Sequence, residues 1–248
     1  MSKIKVGSAW PLGSSLTPNG VNFSIAAPHA KKVDLLIFQD ENDESPKETI
    51  PLDKQNKSGD YWHIEVEGLT VGALYGYQIS LKDHEASETK LVLDPCARGI
   101  KGWQNYLRTQ EGKLDKDYIH CLKGVVTERD YFDFKSHPRP NHSWNKTIIY
   151  ELHVGGFTKH PDSTVTDSKK GTFLGLIDKI PYLKSLGITS IELLPVFAFD
   201  TSDAPEGLAN YWGYSPINWF TPHQGFVDGS QPLEARKQFK NFVEVCHD

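Results

Sequence analysis

A chain of 248 residues that is 38% hydrophobic and 11% aromatic carries enough apolar side chains to bury a core, which excludes general disorder and allows one large domain or two small ones. Its net charge of -5, from 27 basic and 32 acidic residues, offers no basic field that would release counterions from nucleic acid, so DNA and RNA are excluded as partners. Met1 to Gly7 lacks the apolar run of a signal peptide, no stretch approaches the ~18 apolar residues that span a bilayer, and the odd set Cys96, Cys121 and Cys246 shows no CxxC spacing; these features predict a cytoplasmic protein with reduced thiols, no membrane partner, no metal and no cofactor.

In chain order, short alternating apolar runs recur from Val21 to Leu93: Val21, Phe23 and Ile25; Val33, Leu35 and Ile37; Ile50 and Leu52; Trp62, Ile64 and Val66; Tyr75, Tyr77, Ile79 and Leu81; Leu91 and Leu93. Successive side chains of a strand point to opposite faces, so each run predicts a strand with one buried face. Asn19-Gly20, Ser58-Gly59-Asp60 and Val71-Gly72 supply the turns, and the polar stretch Asp40 to Lys47 an exposed loop. Strands at this spacing, without a helical period, predict an immunoglobulin-like β-sandwich over residues 1–98. Trp10, Trp62, Tyr75 and Tyr77 have flat apolar faces of the kind a pyranose ring stacks on, but Trp62, Tyr75 and Tyr77 follow the period-2 core pattern, which favours packing. Trp103, in the polar stretch beyond the last strand, is the better candidate for a carbohydrate contact at the surface. Residues 99–145 lack sustained periodicity, carry Pro138 and Pro140, and read as an ordered linker in which Tyr131-Phe132-Asp133-Phe134 and Trp144 dock on both flanking domains.

From residue 146 the rhythm changes. Ile148 to Val154 predicts a strand buried on both faces, closed by Gly155-Gly156. Gly171-Thr172 then opens a helix with Leu176, Ile180, Leu183 and Leu186 on one face, Pro181 either breaking the ladder or starting a second turn, and Gly187 as its C-cap. Ile188 to Pro195 is a second buried strand, so a right-handed, parallel β-α-β unit is complete. A long loop from Val196 to Gln231 leads to a last helix from Pro232 with Phe239, Phe242, Val243 and Cys246 on one face. Two such units belong either to a doubly wound sheet or to a (β/α)8 barrel; no GxGxxG follows either strand, which argues against a dinucleotide site.

Gly20-Val-Asn-Phe-Ser, Ala27-Pro28-His29-Ala30 and Leu93-Asp94-Pro95-Cys96-Ala97 resemble the carbohydrate-binding sandwich that leads glycogen-debranching and branching enzymes, with Cys96 where that family usually has tyrosine. Five further motifs, Ile149-Tyr-Glu-Leu-His-Val-Gly-Gly-Phe-Thr, Gly171-Thr-Phe-Leu-Gly-Leu, Tyr182-Leu-Lys-Ser-Leu-Gly-Ile-Thr, Glu192-Leu-Leu-Pro-Val and Asn210-Tyr-Trp-Gly-Tyr-Ser-Pro-Ile-Asn-Trp-Phe, are similar in order and spacing to isoamylase-type glycogen-debranching enzymes of the α-amylase superfamily. The resemblance implies a multi-domain β plus α/β chain: the sandwich, the linker, and over residues 146–248 the first two β/α units of an incomplete (β/α)8 TIM barrel.

It also implies hydrolysis of α-1,6 branch linkages in glycogen or a related α-glucan, by a retaining mechanism with an aspartate nucleophile and a glutamate acid/base. About 100 residues remain after position 147, against ~250 for a whole barrel. No carboxylate of this chain is therefore assigned as catalytic, and the chain by itself is expected to be inactive. Tyr214 matches the family tyrosine that stacks on the sugar beside the scissile bond; Tyr211 and Trp212 shape the same loop, and the alternative for all three is that they only anchor it. Glu151, His153 and Glu192 either line the cleft or bond one another, with structural roles favoured; His153 and His160 lack a third ligand for a metal. Rival readings are a non-catalytic glucan-binding scaffold and the leading part of a branching enzyme or maltooligosyl-trehalose hydrolase. Self-association is expected through the open barrel edge, where Ile191 and Leu193 would face water.

Overall fold

The computed structural model describes residues 2–81, 91–106, 118–128, 136–227 and 232–248. The chain divides into two compact units, residues 1–129 and 130–248. Alternation governs the first. Its described strands are β1 (Ile4–Lys5), β2 (Gly13–Leu16), β3 (Gly20–Ala26), β4 (Ala30–Phe38), β5 (Glu48–Leu52), β6 (Lys57–Ser58), β7 (Tyr61–Glu67), β8 (Leu74–Leu81), β9 (Ile100–Lys101) and β10 (Lys123–Val125). One sheet runs β1-β7-β3-β2 with β6 beside β7, the other β5-β4-β8-β10-β9, and every pairing is antiparallel. Val21, Phe23 and Ile25 from the first sheet meet Val33, Leu35 and Ile37 from the second, with Trp62, Ile64, Val66, Tyr75 and Tyr77 completing one core. Each large side chain so buried contributes roughly 1.5–3 kcal/mol.

Trp62, Tyr75 and Tyr77 thus pack rather than face solvent. The run Leu35-Leu36-Ile37-Phe38 is apolar without alternation because both faces of β4 are covered: Leu36 and Phe38 lie under a second cluster with Leu74, Leu91 and Val125. Val125, with Tyr118 and Cys121 beside it, brings residues beyond 98 into that cover. β9 and β10 extend the sandwich sheet, and Lys123, fully buried, donates from Nζ to the carbonyl oxygens of Glu41 (2.7 Å) and Tyr118 (2.8 Å). Strands of two or three residues with glycine inside carry no readable period; Gly124 is needed because a Cβ there would lie 2.9 Å from the Tyr75 ring. The stretch from Leu91 to Leu93 contributes a bridge, Tyr77 to Val92, rather than a full strand. Beneath it Asp94 is buried, accepting from the Tyr75 hydroxyl (2.7 Å) and the Cys96 N–H (2.8 Å); burial pushes its carboxyl up to about 6.

The second unit begins with the 3₁₀ turn Trp144–Lys146; Trp144, expected to dock, is 87% exposed, and Tyr131 to Phe134 lie outside the described residues. β11 (Ile149–Leu152) pairs in parallel with β12 (Ser190–Leu193), Tyr150 opposite Ile191 and Glu151 opposite Glu192. Between them come α1 (Val154–Phe157), α2 (Phe173–Ile177) and α3 (Ile180–Ser185). The first strand is shorter than predicted, since His153 leaves it to cap α1, a turn containing the Gly155-Gly156 pair. The predicted single helix is two: Thr172 caps α2 through the Gly175 N–H, and Pro181 sits in the first turn of α3, where its missing N–H costs nothing. Gly187, at φ +80, lets the chain leave α3, as expected of a C-terminal glycine. Leu186, expected on the buried face, is exposed.

The expected loop after β12 holds an antiparallel pair, β13 (Phe197–Phe199) and β14 (Pro216–Pro222), before α4 (Pro232–His247). Leu152, Val154, Phe173, Leu176, Ile180, Leu183, Phe199, Phe226 and Phe242 form this unit's core. Ile191 and Leu193, expected to face water, are half-buried: they pack against this core on one side and line a solvent-open groove of about 840 Å³ with Ile180, Leu183 and Phe242 on the other. It is Ile149, on the opposite side of β11 from Leu152, that stands 56% exposed, so this strand is not buried on both faces.

Candidate functional site

β11, β12 and β13 end toward a loop whose shape is set by short polar links. Asn210 does three jobs: its N–H donates to the Thr201 carbonyl (3.0 Å), its Nδ2 to the Asp200 carbonyl (3.1 Å), and its Oδ1 accepts the Gly213 N–H (3.1 Å). The Asp200 carboxylate accepts from the Ser202 N–H (2.9 Å) and hydroxyl (2.6 Å). Ser215 donates its hydroxyl to the Asp203 carboxylate. Gly213 adopts φ +80, a left-handed conformation, and a Cβ there would come within 2.8 Å of the Phe199 ring. Both facts demand glycine.

The loop so fixed presents Tyr211 (50% exposed), Trp212 (58%) and Tyr214 (68%) to solvent, with the Tyr211 and Trp212 rings edge to face at 5.8 Å. Large aromatic side chains held in water by a rigid backbone offer apolar ring faces to a ligand. Its inner side rests on histidine. His153 accepts the Gly156 N–H at Nδ1 (3.0 Å), so the ring proton lies on Nε2, which donates to the Tyr211 carbonyl (2.8 Å); the His153 and Tyr211 rings stack at 4.1 Å. Gly156 must stay small, because a Cβ there would lie 2.1 Å from the Tyr211 hydroxyl oxygen. Glu151 and Glu192 sit side by side in register, both exposed, and no bond between them and the loop is seen. Among the described residues no three metal-ligating side chains come together.

The structure therefore brings Tyr211 onto His153 with Trp212 edge-on beside it, leaves Tyr214 exposed on the same loop, and has Trp103 in the other unit. Trp103 is only half-buried, edge-on to Tyr106 at 6.0 Å. In the same sandwich Trp10 is 72% exposed and offers the larger free ring face. Sequence reasoning missed His223, the residue after β14. It is buried, stacks on Phe199 at 3.8 Å and accepts the Gly225 N–H at Nδ1 (2.9 Å). Burial, with the nearby His153, pushes its imidazole down to about 4. The available signal was alternation in Ile217, Trp219 and Thr221, a strand reading that would have placed His223 at a strand end.

Residues 11–97 match the family model for carbohydrate-binding module 48 (isoamylase N-terminal domain). The chain is 33% identical over 272 residues to isoamylase 3, chloroplastic, of Oryza sativa subsp. japonica, covering 99% of this chain and 33% of that protein. It is also 33% identical over 261 residues to a glycogen debranching enzyme of Cronobacter sakazakii, covering 100% of this chain and 38% of the relative. It thus spans between 33% and 38% of the length of these curated relatives. Among solved structures, the product complex of SpuA, a multi-modular glycogen-degrading pneumococcal virulence factor, superposes with a TM-score of 0.73 at 26% identity, over 98% of this chain and 26% of that one. Apo pullulanase from Paenibacillus barengoltzii gives 0.74 at 22% identity, over 98% of this chain and 36% of that one, a likeness of fold.

Proposed function

We propose, for a chain that carries a carbohydrate-binding module 48 domain at residues 11–97 and is related along its length to the N-terminal part of isoamylase-type debranching enzymes, that it serves the hydrolysis of α-1,6 branch linkages in glycogen or a related α-glucan. In this reading the sandwich engages the glucan, and the second unit is the opening of a (β/α)8 barrel whose loop, Tyr211 to Tyr214, receives a sugar ring at the C-terminal ends of the strands. The carrying observation is the exposed Tyr214, delivered by a backbone locked through Asn210, Gly213 and Phe199. An apolar sugar face stacks on such a ring without having to order the loop first.

Retaining hydrolysis needs two carboxyl groups about 5 Å apart, one a nucleophile and one an acid that becomes a base. No residue of this chain is assigned to either role, and the chain alone is proposed to bind glucan without cleaving it. Asp94, the buried sandwich carboxyl, is occupied by Tyr75 and Cys96 and is structural. We place the protein in the cytoplasm. We also propose that the outer edges of the β11–β12 pair, which carry no further strand among the described residues, mediate self-association, visible as a concentration-dependent mass in sedimentation.

Co-sedimentation with glycogen and titration with maltoheptaose test the glucan reading. Native chain is expected to bind, with Tyr214→Ala weakening maltoheptaose affinity by about tenfold, the scale of one lost stacking contact. Trp103→Ala and Trp10→Ala distinguish the sandwich's share, which is greater for Trp10 if exposure governs. Native affinity unchanged in Tyr214→Ala removes this loop from the glucan site; release of linear chains from glycogen by the purified chain overturns its proposed inactivity.

A further inference from the structure

Two imidazoles support the aromatic loop from beneath, by the same device. His153 follows β11 directly and His223 follows β14 directly. Each accepts, at Nδ1, the N–H of a glycine that opens the next turn: Gly156 at 3.0 Å and Gly225 at 2.9 Å. Each also presents a ring face. His153 stacks under Tyr211 at 4.1 Å and holds the Tyr211 carbonyl at 2.8 Å; His223 stacks under Phe199 at 3.8 Å, and Phe199 is the ring against which Gly213 is packed. Phe226 contacts both imidazoles, at 5.5 and 5.2 Å. Tyr211 and Gly213, the two neighbours of Trp212, therefore each rest on a histidine-supported ring, and Tyr214 comes next.

We infer that His153 and His223 are paired positioning residues that hold the loop 211–214 in its glucan-ready shape only while both imidazoles are neutral, so that engagement of glucan by this loop is released on acidification. This rests on the reading of Tyr214 as a sugar contact. A proton on Nδ1 of either ring sets N–H against N–H and breaks the cap. Among the described residues, the rings packed on the pair include Tyr211 from the loop, Phe199 from β13 and Phe226 from the turn at Gln224–Phe226, and the His153 charge acts on His223. Asp200, the carboxylate next along the chain from Phe199, has its Oδ1 engaged by Ser202. Burial of His223 and the charge of His153 both oppose protonation of His223 in the closed loop. By linkage, acid favours the state in which the rings are released into water.

The test uses the full chain and reads the loop itself. Long-range proton–nitrogen NMR spectra are expected to show both histidines with the proton on Nε2 at about pH 7.5. Lowering the pH to about 4.5 is expected to raise the opening of the Gly156, Gly213 and Gly225 amides by at least about tenfold beyond the intrinsic pH effect on exchange, while the helical amides of Leu176 and Leu183 hold. Maltoheptaose affinity falls in parallel. His153→Asn keeps a side-chain oxygen to accept the Gly156 N–H but cannot titrate, so it flattens part of the affinity profile, whereas His153→Ala weakens binding at every pH.

Either histidine found with its proton on Nδ1, histidines that protonate while the glycine amides stay closed, equal loosening of Leu176 and Leu183, or a wild-type pH profile in His153→Asn overturns the inference. The two readings fail separately. If Tyr214→Ala leaves maltoheptaose binding intact, the glucan reading falls and the amide arm still decides on the histidine pair. If Tyr214→Ala abolishes binding while native affinity and loop opening are flat with pH, the pair has no such role and the glucan reading stands.

Discussion

Replacing Asp94 with asparagine should make the sandwich more stable at neutral pH, although it alters a fully buried side chain that accepts from Tyr75 and Cys96. The carboxyl is 1% exposed, and burial raises it from an ordinary 3.8 to about 6, only partly offset by the bonds from the Cys96 N–H and the Tyr75 hydroxyl. The folded state therefore holds the proton more tightly than the unfolded chain does. Its contribution to stability is fully present below about 3.8 and is lost as pH rises through about 6. The difference of about two pH units corresponds to about 3 kcal/mol spent at pH 7.5 on keeping the group ionised. The amide introduced by Asp94→Asn would retain an oxygen for the Cys96 N–H and gain an NH₂ that donates to the Tyr75 oxygen. The variant should match wild type near pH 4 and exceed it by up to about 3 kcal/mol at pH 7.5. Urea unfolding followed by hydrogen exchange in β3 and β8 reads this unit alone, and carbon NMR of the Asp94 carboxyl gives its midpoint directly. A midpoint at or below the ordinary aspartate value, or wild-type stability that is flat from pH 4 to 7 with Asp94→Asn the weaker protein, would refute the reasoning.

The second unit should respond to acid in the opposite sense. His223 is pushed down from 6.5 to about 4, so the state with the loop opened takes up its proton first; closure of the loop over His223 is complete above about 6.5 and weakens by about 3 kcal/mol as pH drops to about 4, checked by exchange of the Gly213 and Gly225 amides and removed by His223→Asn. Phe173→Ala should cost about 3–5 kcal/mol in urea unfolding of the same unit, since this fully buried ring meets Phe226, Phe239 and Phe242. Gly213→Ala should cost about 2 kcal/mol and expose Phe199, from the left-handed backbone and the approach to its ring; unchanged stability with native loop spectra would contradict this.

Much of the sandwich was legible because its strands are long and one-sided. Val21, Phe23 and Ile25, or Trp62, Ile64 and Val66, announce both the strand and the face that is buried. β9 and β10 were not, because strands of two or three residues carry too few positions for a period, and the buried Lys123 reads in sequence as a surface charge. In the second unit the parallel pairing of β11 with β12 and the break at Pro181 followed from local rules. The β13–β14 pair hid in a stretch rich in turn residues, where pairing depends on a partner strand some 20 residues away rather than on local propensity.

The site divides in the same way. Asn210 to Tyr214 could be found as a motif, whereas the close packing that demands glycine at position 213 shows only once the Phe199 ring is in place. His153 was visible only as a polar residue at a strand end, and His223 as one more histidine in a loop. Their shared role as neutral acceptors under one aromatic loop arises from tertiary contacts, which bring residues 153, 199, 211, 223 and 226 together. The sequence by itself determined which strands carry an apolar face, where many of the turns fall, and where aromatic side chains cluster, because these follow from periodicity and side-chain chemistry. Only the tertiary structure decided which aromatics stay in water and which imidazoles are held uncharged, because exposure and protonation depend on neighbours that are distant in the chain.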